Sequence, residues 1–203
     1  MKRTGFSIAF MCWLALAGSA WAQQDVWEID ASHSSAQFSV RHMMVSNVRG
    51  EFAKIAGRVF MEGKDISKAR VEATLDANSI TTRNEARDKH LRSAEFFDVA
   101  NHPTIEFKSK KAEAVSSGRF RITGDLTLHG VTKEVILDAE GPTPEIKDQR
   151  GNTRVGVSAT TKINRKDFNI LWDNTLDSGG VVLGDEVAIT IDLELIKRAT
   201  SGK

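Results

Sequence analysis

The side chains with the widest chemical range in this sequence are five histidines, His33, His42, His90, His102 and His129. Imidazole both ligates metals and moves protons near neutral pH. The spacing of these five supports neither use. No H-E-x-x-H or H-x-x-E-H pattern occurs, so no pair sits on one helix face in the way those metalloenzyme motifs require. His33 and His42 fall in a strand-like segment, too far apart along a straight strand to share an ion. His129-Gly130 and Asn101-His102-Pro103 read more simply as turns. Ser34 adjoins His33, but the G-x-S-x-G strand-to-helix turn that would expose a nucleophilic serine is missing. The expectation is no catalytic residue, no metal ligand and no cofactor.

The elements that would position any site are strands. Apolar residues alternate with polar ones in eight runs, the mark of half-buried strands. The first carries Trp27, Ile29, Ala36, Phe38 and Val40. In the second, Val48, Gly50 and Phe52 shift phase to Ile55, Gly57, Val59 and Met61, which predicts a bulge near Ala53-Lys54. The third is Ala69, Val71, Ala73 and Leu75, and the fourth Ile105 and Phe107. The fifth is Phe120, Ile122, Gly124, Leu126 and Leu128, and the sixth Val135, Leu137 and Ala139. The seventh is Val155, Val157, Ala159, Thr161 and Ile163, and the eighth Val187, Ile189, Ile191, Leu193 and Leu195. Short turn signals separate most of them, pointing to an up-and-down antiparallel arrangement. Residues 82–91 read as a helix, followed by Phe96-Phe97. Residues 164–184, with Phe168, Leu171 and Trp172, form a second long excursion. Eight amphipathic strands make a sandwich or a barrel. Closure removes exposed edges, and long excursions favour a barrel with a mouth to cover.

The chain opens with Met1-Lys2-Arg3, an apolar run over residues 6–17 and the small residues Ala20 and Ala22. This is the pattern of a cleaved signal peptide over residues 1–22, too short in its apolar part to be a membrane anchor. One mature domain over residues 23–203 is expected. The sole cysteine, Cys12, leaves with the signal. The whole chain has 28 Lys and Arg against 27 Asp and Glu. Losing Lys2 and Arg3 makes the mature part slightly acidic, with no basic footprint for nucleic acid. No further membrane segment appears. The exposed strand faces, rich in Thr, Lys and Glu, show no apolar patch, although unpaired stretches at a barrel mouth leave room for a homodimer.

Ordered stretches then carry a resemblance. They are Asp30-Ala31-Ser32-His33-Ser34, Phe38-Ser39-Val40-Arg41-His42-Met43, Val48-Arg49-Gly50-Glu51-Phe52, Thr82-Arg83-Asn84-Glu85-Ala86-Arg87-Asp88-Lys89-His90-Leu91 and His102-Pro103-Thr104-Ile105-Glu106-Phe107. Gly124-Asp125-Leu126-Thr127-Leu128-His129-Gly130, Ile163-Asn164-Arg165-Lys166-Asp167-Phe168 and Gly184-Asp185-Glu186-Val187 follow in sequence. Together they resemble the YceI-like family. The chain departs from it at Asn169, where many relatives carry glycine. The resemblance implies an all-β fold, an eight-stranded antiparallel lipocalin-like barrel with one or two helical excursions. It also implies export to the periplasm and a polyisoprenoid or other long-chain lipid held in the barrel for transport or storage.

A long apolar chain offers few polar handles, so shape and apolar burial must recognise it. The residues expected to line its site are Phe38, Val40, Phe52, Ile105, Phe107, Leu126, Leu128, Val157, Ala159, Ile163, Ile189 and Ile191. Small members such as Gly124 and Ala159 would leave room. Phe168, Leu171 and Trp172 either close over one end or form a permanent plug, and Phe168 and Trp172 join the candidate site on the first reading. Arg83, Arg87, Asp88 and His90 form a polar group, with Asn84, Arg87, Asp88 and Leu91 sharing one helix side. A structural latch is the favoured reading and a lipid head-group site the other, with Arg165 and Asp167 as candidate partners across the mouth. The competing functional reading is a non-enzymatic periplasmic partner or stress protein with a solid core, acting through its surface.

Overall fold

The computed structural model describes residues 24–63, 65–174 and 181–198. The expected signal segment, Cys12 and the Gly179-Gly180 pair expected to end the second excursion lie outside the described residues. The strands are β1 (Asp25–Ile29), β2 (Ser35–His42), β3 (Ser46–Phe52), β4 (Ile55–Glu62), β5 (Asp65–Asp76), β6 (Ile80–Thr81), β7 (Thr104–Ser116), β8 (Arg119–Leu128), β9 (Val131–Glu140), β10 (Ile146–Lys147), β11 (Thr153–Asn164) and β12 (Leu183–Lys197), with one α-helix, α1 (Glu85–Arg92). All strand pairings among the described residues are antiparallel. β1, β4, β5, β7, β8, β9, β11 and β12 are neighbours in that order, and β12 pairs back onto β1, closing an eight-stranded barrel.

Two of the eight alternating runs each supply two strands. β2 continues the line of β1 along β12, through Ile191↔Ala36 and Ile189↔Phe38 where β1 contributes Ile29↔Leu195. The break follows from Asp30, whose carboxylate accepts from the Ser32 amide at 3.0 Å and so turns the chain. The bulge expected at Ala53-Lys54 is a corner instead. β3 ends at Phe52 and pairs with β2 and β6, while β4 starts at Ile55 and pairs with β1 and β5. The backbone amides freed at the corner are taken by Ser79, through its carbonyl for Ala53 (3.2 Å) and its hydroxyl for Lys54 (3.1 Å).

The core is a shell rather than a plug. At the β1 end, Trp27, Ile29, Val59, Met61, Val155 and Leu195 pack together, with Trp27 and Leu195 each 1% exposed. A second cluster at the α1 end joins Ala77, Phe96, Ile105, Leu128, Ile163, Phe168 and Ile170. Outside the β1 end, Arg154 donates to Asp30 (2.6 Å), Asp148 (2.7 Å) and Glu194 (2.5 Å), tying the β1–β2 turn to β11, β12 and the β10–β11 connection. Arg154 holds the Asp30 carboxyl well below the usual carboxylate range. Asn152, and after it Arg154, does the same for Asp148.

Candidate functional site

Inside the barrel runs a cavity of about 600 Å³, within the range of ligand pockets in general. The dry faces of β2, β3, β4, β5, β7, β8, β9, β11 and β12 all contribute to it. Of the residues the sequence pointed to, Phe38, Val40, Phe52, Ile105, Phe107, Leu126, Leu128, Val157, Ala159, Ile163, Trp172, Ile189 and Ile191 line this lumen. Phe168 does not. It is 1% exposed and packs under the lumen wall against the α1-end cluster. Sequence reasoning omitted the whole β4–β5 wall, Ile55, Val59, Met61, Ala69, Val71, Ala73 and Leu75, although these residues follow the same two-residue period.

Glycines help keep the lumen hollow, by a route different from the one expected. A methyl placed on Gly124 would lie 2.5 Å from Phe107 Cζ, and one on Gly50 2.5 Å from Phe38 Cζ. Each glycine therefore leaves the space of a side chain to the tip of an aromatic ring. The room Gly124 provides is filled by Phe107.

Polar groups reach the lumen mainly at the α1 end, where His42, Arg87, His90 and Arg165 join its lining. α1 covers this end. Asn84 caps it, its side chain accepting from the Arg87 amide at 3.0 Å. Eight residues make a marginal helix alone, so tertiary ties hold it. Asp88 is 6% exposed and accepts from the Thr82 amide at 2.8 Å and from the Thr82 hydroxyl. Arg87 donates to the same hydroxyl at 2.7 Å and to the Thr82 carbonyl at 2.9 Å. Arg92 reaches the carbonyls of Asn78 and Ile80, at 2.9 and 2.7 Å. This is latch geometry. Arg83 stands outside it, at φ 62° in the link before the helix.

Arg165 is not the latch's partner. Its guanidinium, 3% exposed, donates to the carbonyls of Ile170 (2.8 Å), Trp172 (2.7 Å), Gly184 (3.0 Å) and Leu183 (3.3 Å), and to Asp185 at 3.1 Å. It binds the second excursion to the start of β12. The preceding strand ends in a 3-10 turn, Arg165–Phe168, closed by Asn169 at φ 57° and ψ 18°. That left-handed conformation explains why glycine suits the position and why asparagine is tolerated. The turn buries Phe168, while the strap beyond it delivers Trp172 to the lumen. Trp172 meets His90 edge-on at 5.4 Å and Phe96 at 5.2 Å between ring centres. Phe97 meets Phe52 at 5.6 Å, also edge-on. The permanent plug is thus Phe168, and Leu171 faces solvent at 61% exposure.

An exposed apolar surface, not foreseen from the strand faces, stands at the same end. Met43, Met44 and Val45 at the β2–β3 tip are 42%, 57% and 77% exposed, and the Met43 amide bonds the Val182 carbonyl at 2.8 Å, beside exposed Val181.

Comparison with known proteins agrees with this architecture. A UPF0312 protein of Pectobacterium atrosepticum is 38% identical over 173 residues, covering 85% of this chain and 89% of the relative. A UPF0312 protein of Staphylococcus aureus is 36% identical over 165 residues, covering 81% and 94%. Among solved structures, the Campylobacter jejuni YCEI protein superposes with a TM-score of 0.66 at 28% identity, over 78% of this chain and 90% of that one. A polyisoprenoid binding domain from Saccharophagus degradans shares the fold, with a TM-score of 0.61 at 15% identity over 85% and 98%. The YceI-like domain model matches residues 27–195, and with the closed hollow barrel already described, the chain belongs to the YceI-like family.

Proposed function

We propose that this protein is a non-enzymatic periplasmic carrier or store that holds one polyisoprenoid or other long-chain lipid inside its barrel. The observation that carries the reading is the apolar lumen of about 600 Å³ running between the Trp27 and Trp172 ends. The binding named for the Saccharophagus degradans domain, which has the same fold, supports the ligand class. At roughly 30 Å³ per water-sized group, such a lumen takes about 20 methylene-sized groups. Burying them contributes about 16 kcal/mol gross at ~0.8 kcal/mol each. Ordering the chain and losing its free motion offset much of this, about 4–15 kcal/mol. The tail therefore supplies the affinity, and His90 and Arg87 meet the more polar end of the molecule. Export with removal of residues 1–22 places the carrier in the periplasm. Hand-over occurs at the α1 end, where Met43, Met44 and Val45 stand exposed. The test is organic extraction of protein purified from the periplasm, with mass spectrometry of the extract. Near one long-chain lipid per chain is expected. A protein that emerges without lipid and takes none up from mixed vesicles is no carrier.

A further inference from the structure

A second site lies outside the lumen. The loop after α1 and the β8–β9 turn bring Asp98, His102 and His129 together, with one ligating atom of each within 4.8 Å of the others. All three are half-buried. The two imidazoles stand edge to face, 5.0 Å between ring centres. A methyl on Gly130 would fall 2.6 Å from His102 Cε1, so that glycine is what lets the ring approach.

Each flanking ligand is already oriented. His129 Nδ1 lies 3.2 Å from the Phe168 carbonyl. A carbonyl only accepts, so Nδ1 carries the proton and the Nε2 lone pair is available. Asp98 Oδ2 accepts from Asn101 Nδ2 at 2.8 Å, leaving Oδ1. Outer partners of this kind, a carbonyl on the far nitrogen of a histidine and an amide on a carboxylate, accompany metal ligands generally. Asp98 and His129 are also both held at positive φ, 44° and 51°, as residues fixed for a function often are. The other cluster of this type among the described residues, Asp30, His33 and Glu194, has its two carboxylates occupied by Arg154.

We propose that Asp98, His102 and His129 bind a divalent transition-metal ion. Two imidazole nitrogens and one carboxylate oxygen suit zinc and its neighbours, whereas calcium and magnesium demand an all-oxygen shell. Three protein ligands leave at least one position for water or another donor. The ion fastens the segment that follows Phe96 and Phe97 to the β8–β9 turn and, through His129, to Phe168. The site does not depend on what fills the lumen.

The experiment is calorimetric titration of chelator-treated mature protein with zinc chloride, paired with NMR of the histidine rings. One zinc per chain is expected, with the ring signals of His102 and His129 shifting together while those of His33, His42 and His90 stay. His129→Ala and Asp98→Ala should each weaken binding at least about 100-fold, more than loss of an outer partner does, and His33→Ala should leave it unchanged. At a hundredfold excess over Kd the melting temperature should rise by about 5 °C or more. Absence of saturable binding, zinc affinity unaltered in His129→Ala, or ring shifts spread over all five histidines would each overturn the assignment. The NMR arm uses the unsubstituted protein, so it decides the matter even where a variant folds poorly.

Discussion

Replacing Val157 with phenylalanine tests whether ligand and lumen are the same place. Val157 lies on β11, opposite Leu193 of β12, and faces the cavity. Phenylalanine adds about four carbon atoms, each displacing roughly one methylene of ligand worth ~0.8 kcal/mol. The expected loss is about 3 kcal/mol, or roughly two orders of magnitude in Kd. The lumen, about 600 Å³, has room for the ring, so the stability change should stay below the ~1–3 kcal/mol of an overpacked solid core. Displacement of a fluorescent long-chain probe reads the affinity, and thermal unfolding checks the fold. A ligand about four methylenes shorter should lose far less, because the ring then takes space the shorter chain leaves vacant. Wild-type affinity in a well-folded Val157→Phe variant would refute the placement of the ligand inside the barrel, whatever lipid is extracted from it.

Three further perturbations address the parts around the lumen. Asp88→Ala strands the Thr82 amide and hydroxyl, which should lower stability in urea by about 1–3 kcal/mol without changing which lipid is bound; the reverse pattern would make Asp88 a head-group contact. Arg154→Met should destabilise at neutral pH. Asp30 and Asp148 have depressed folded-state values, so their contribution is present above about pH 4, the unfolded carboxylate value, and fades as pH falls below it; the gap between variant and wild type in urea unfolding should be flat from pH 6 to 8 and shrink by pH 3. Gly50→Ala places a methyl against both the Phe38 ring and Thr82 Cγ2, so it should tip the ring into the lumen, strain the latch at Thr82 and weaken long-chain binding roughly tenfold, about 1.4 kcal/mol, measured with the same displacement probe.

The barrel was legible because a closed antiparallel sheet writes its two faces into the sequence with a period of two. Twelve of the fourteen residues singled out lie on strands and face the lumen for that reason. The limits are equally physical. Trp27 and Ile29 stand at odd positions and Ala36, Phe38 and Val40 at even ones, so the phase changes across the turn that Asp30 makes by bonding the Ser32 amide, and a single run over both strands does not hold. Phe168 and Trp172 are neighbouring aromatics in one excursion, and nothing in their types separates plug from lining. The difference is made by Arg165, whose guanidinium gathers carbonyls from the strap and from the start of β12. Pairing of Arg165 with α1 was a plausible charge match, but it lost to four carbonyls nearer at hand. Asp98 and His102 share the loop after α1, but His129 comes from the β8–β9 turn, and spacing rules cannot join the two.

Alternation also cannot say whether the enclosed space is full, and energetics sharpen that point. Cavities left by core truncation cost about 24 cal/mol per Å³. Applied to 600 Å³, that is on the order of 14 kcal/mol, as large as the whole net stability of an ordinary domain, about 5–15 kcal/mol. Strand pairing closed into a ring and the packed shells at both ends sustain the barrel, but an empty dry lumen would consume most of what they contribute. Water entering at the α1 end relieves part of this and finds few partners deeper in, where the walls are Val, Ile, Leu and Phe. The filled state should therefore be the stable one. Lipid-stripped protein should melt well below protein as isolated, with the difference restored by one equivalent of a long-chain apolar ligand and not by a short one. Calorimetric melting of stripped, native and refilled protein measures this. Coincident transitions for all three would mean that the lumen collapses on itself when emptied, and that its hollowness is not what the fold is built to keep.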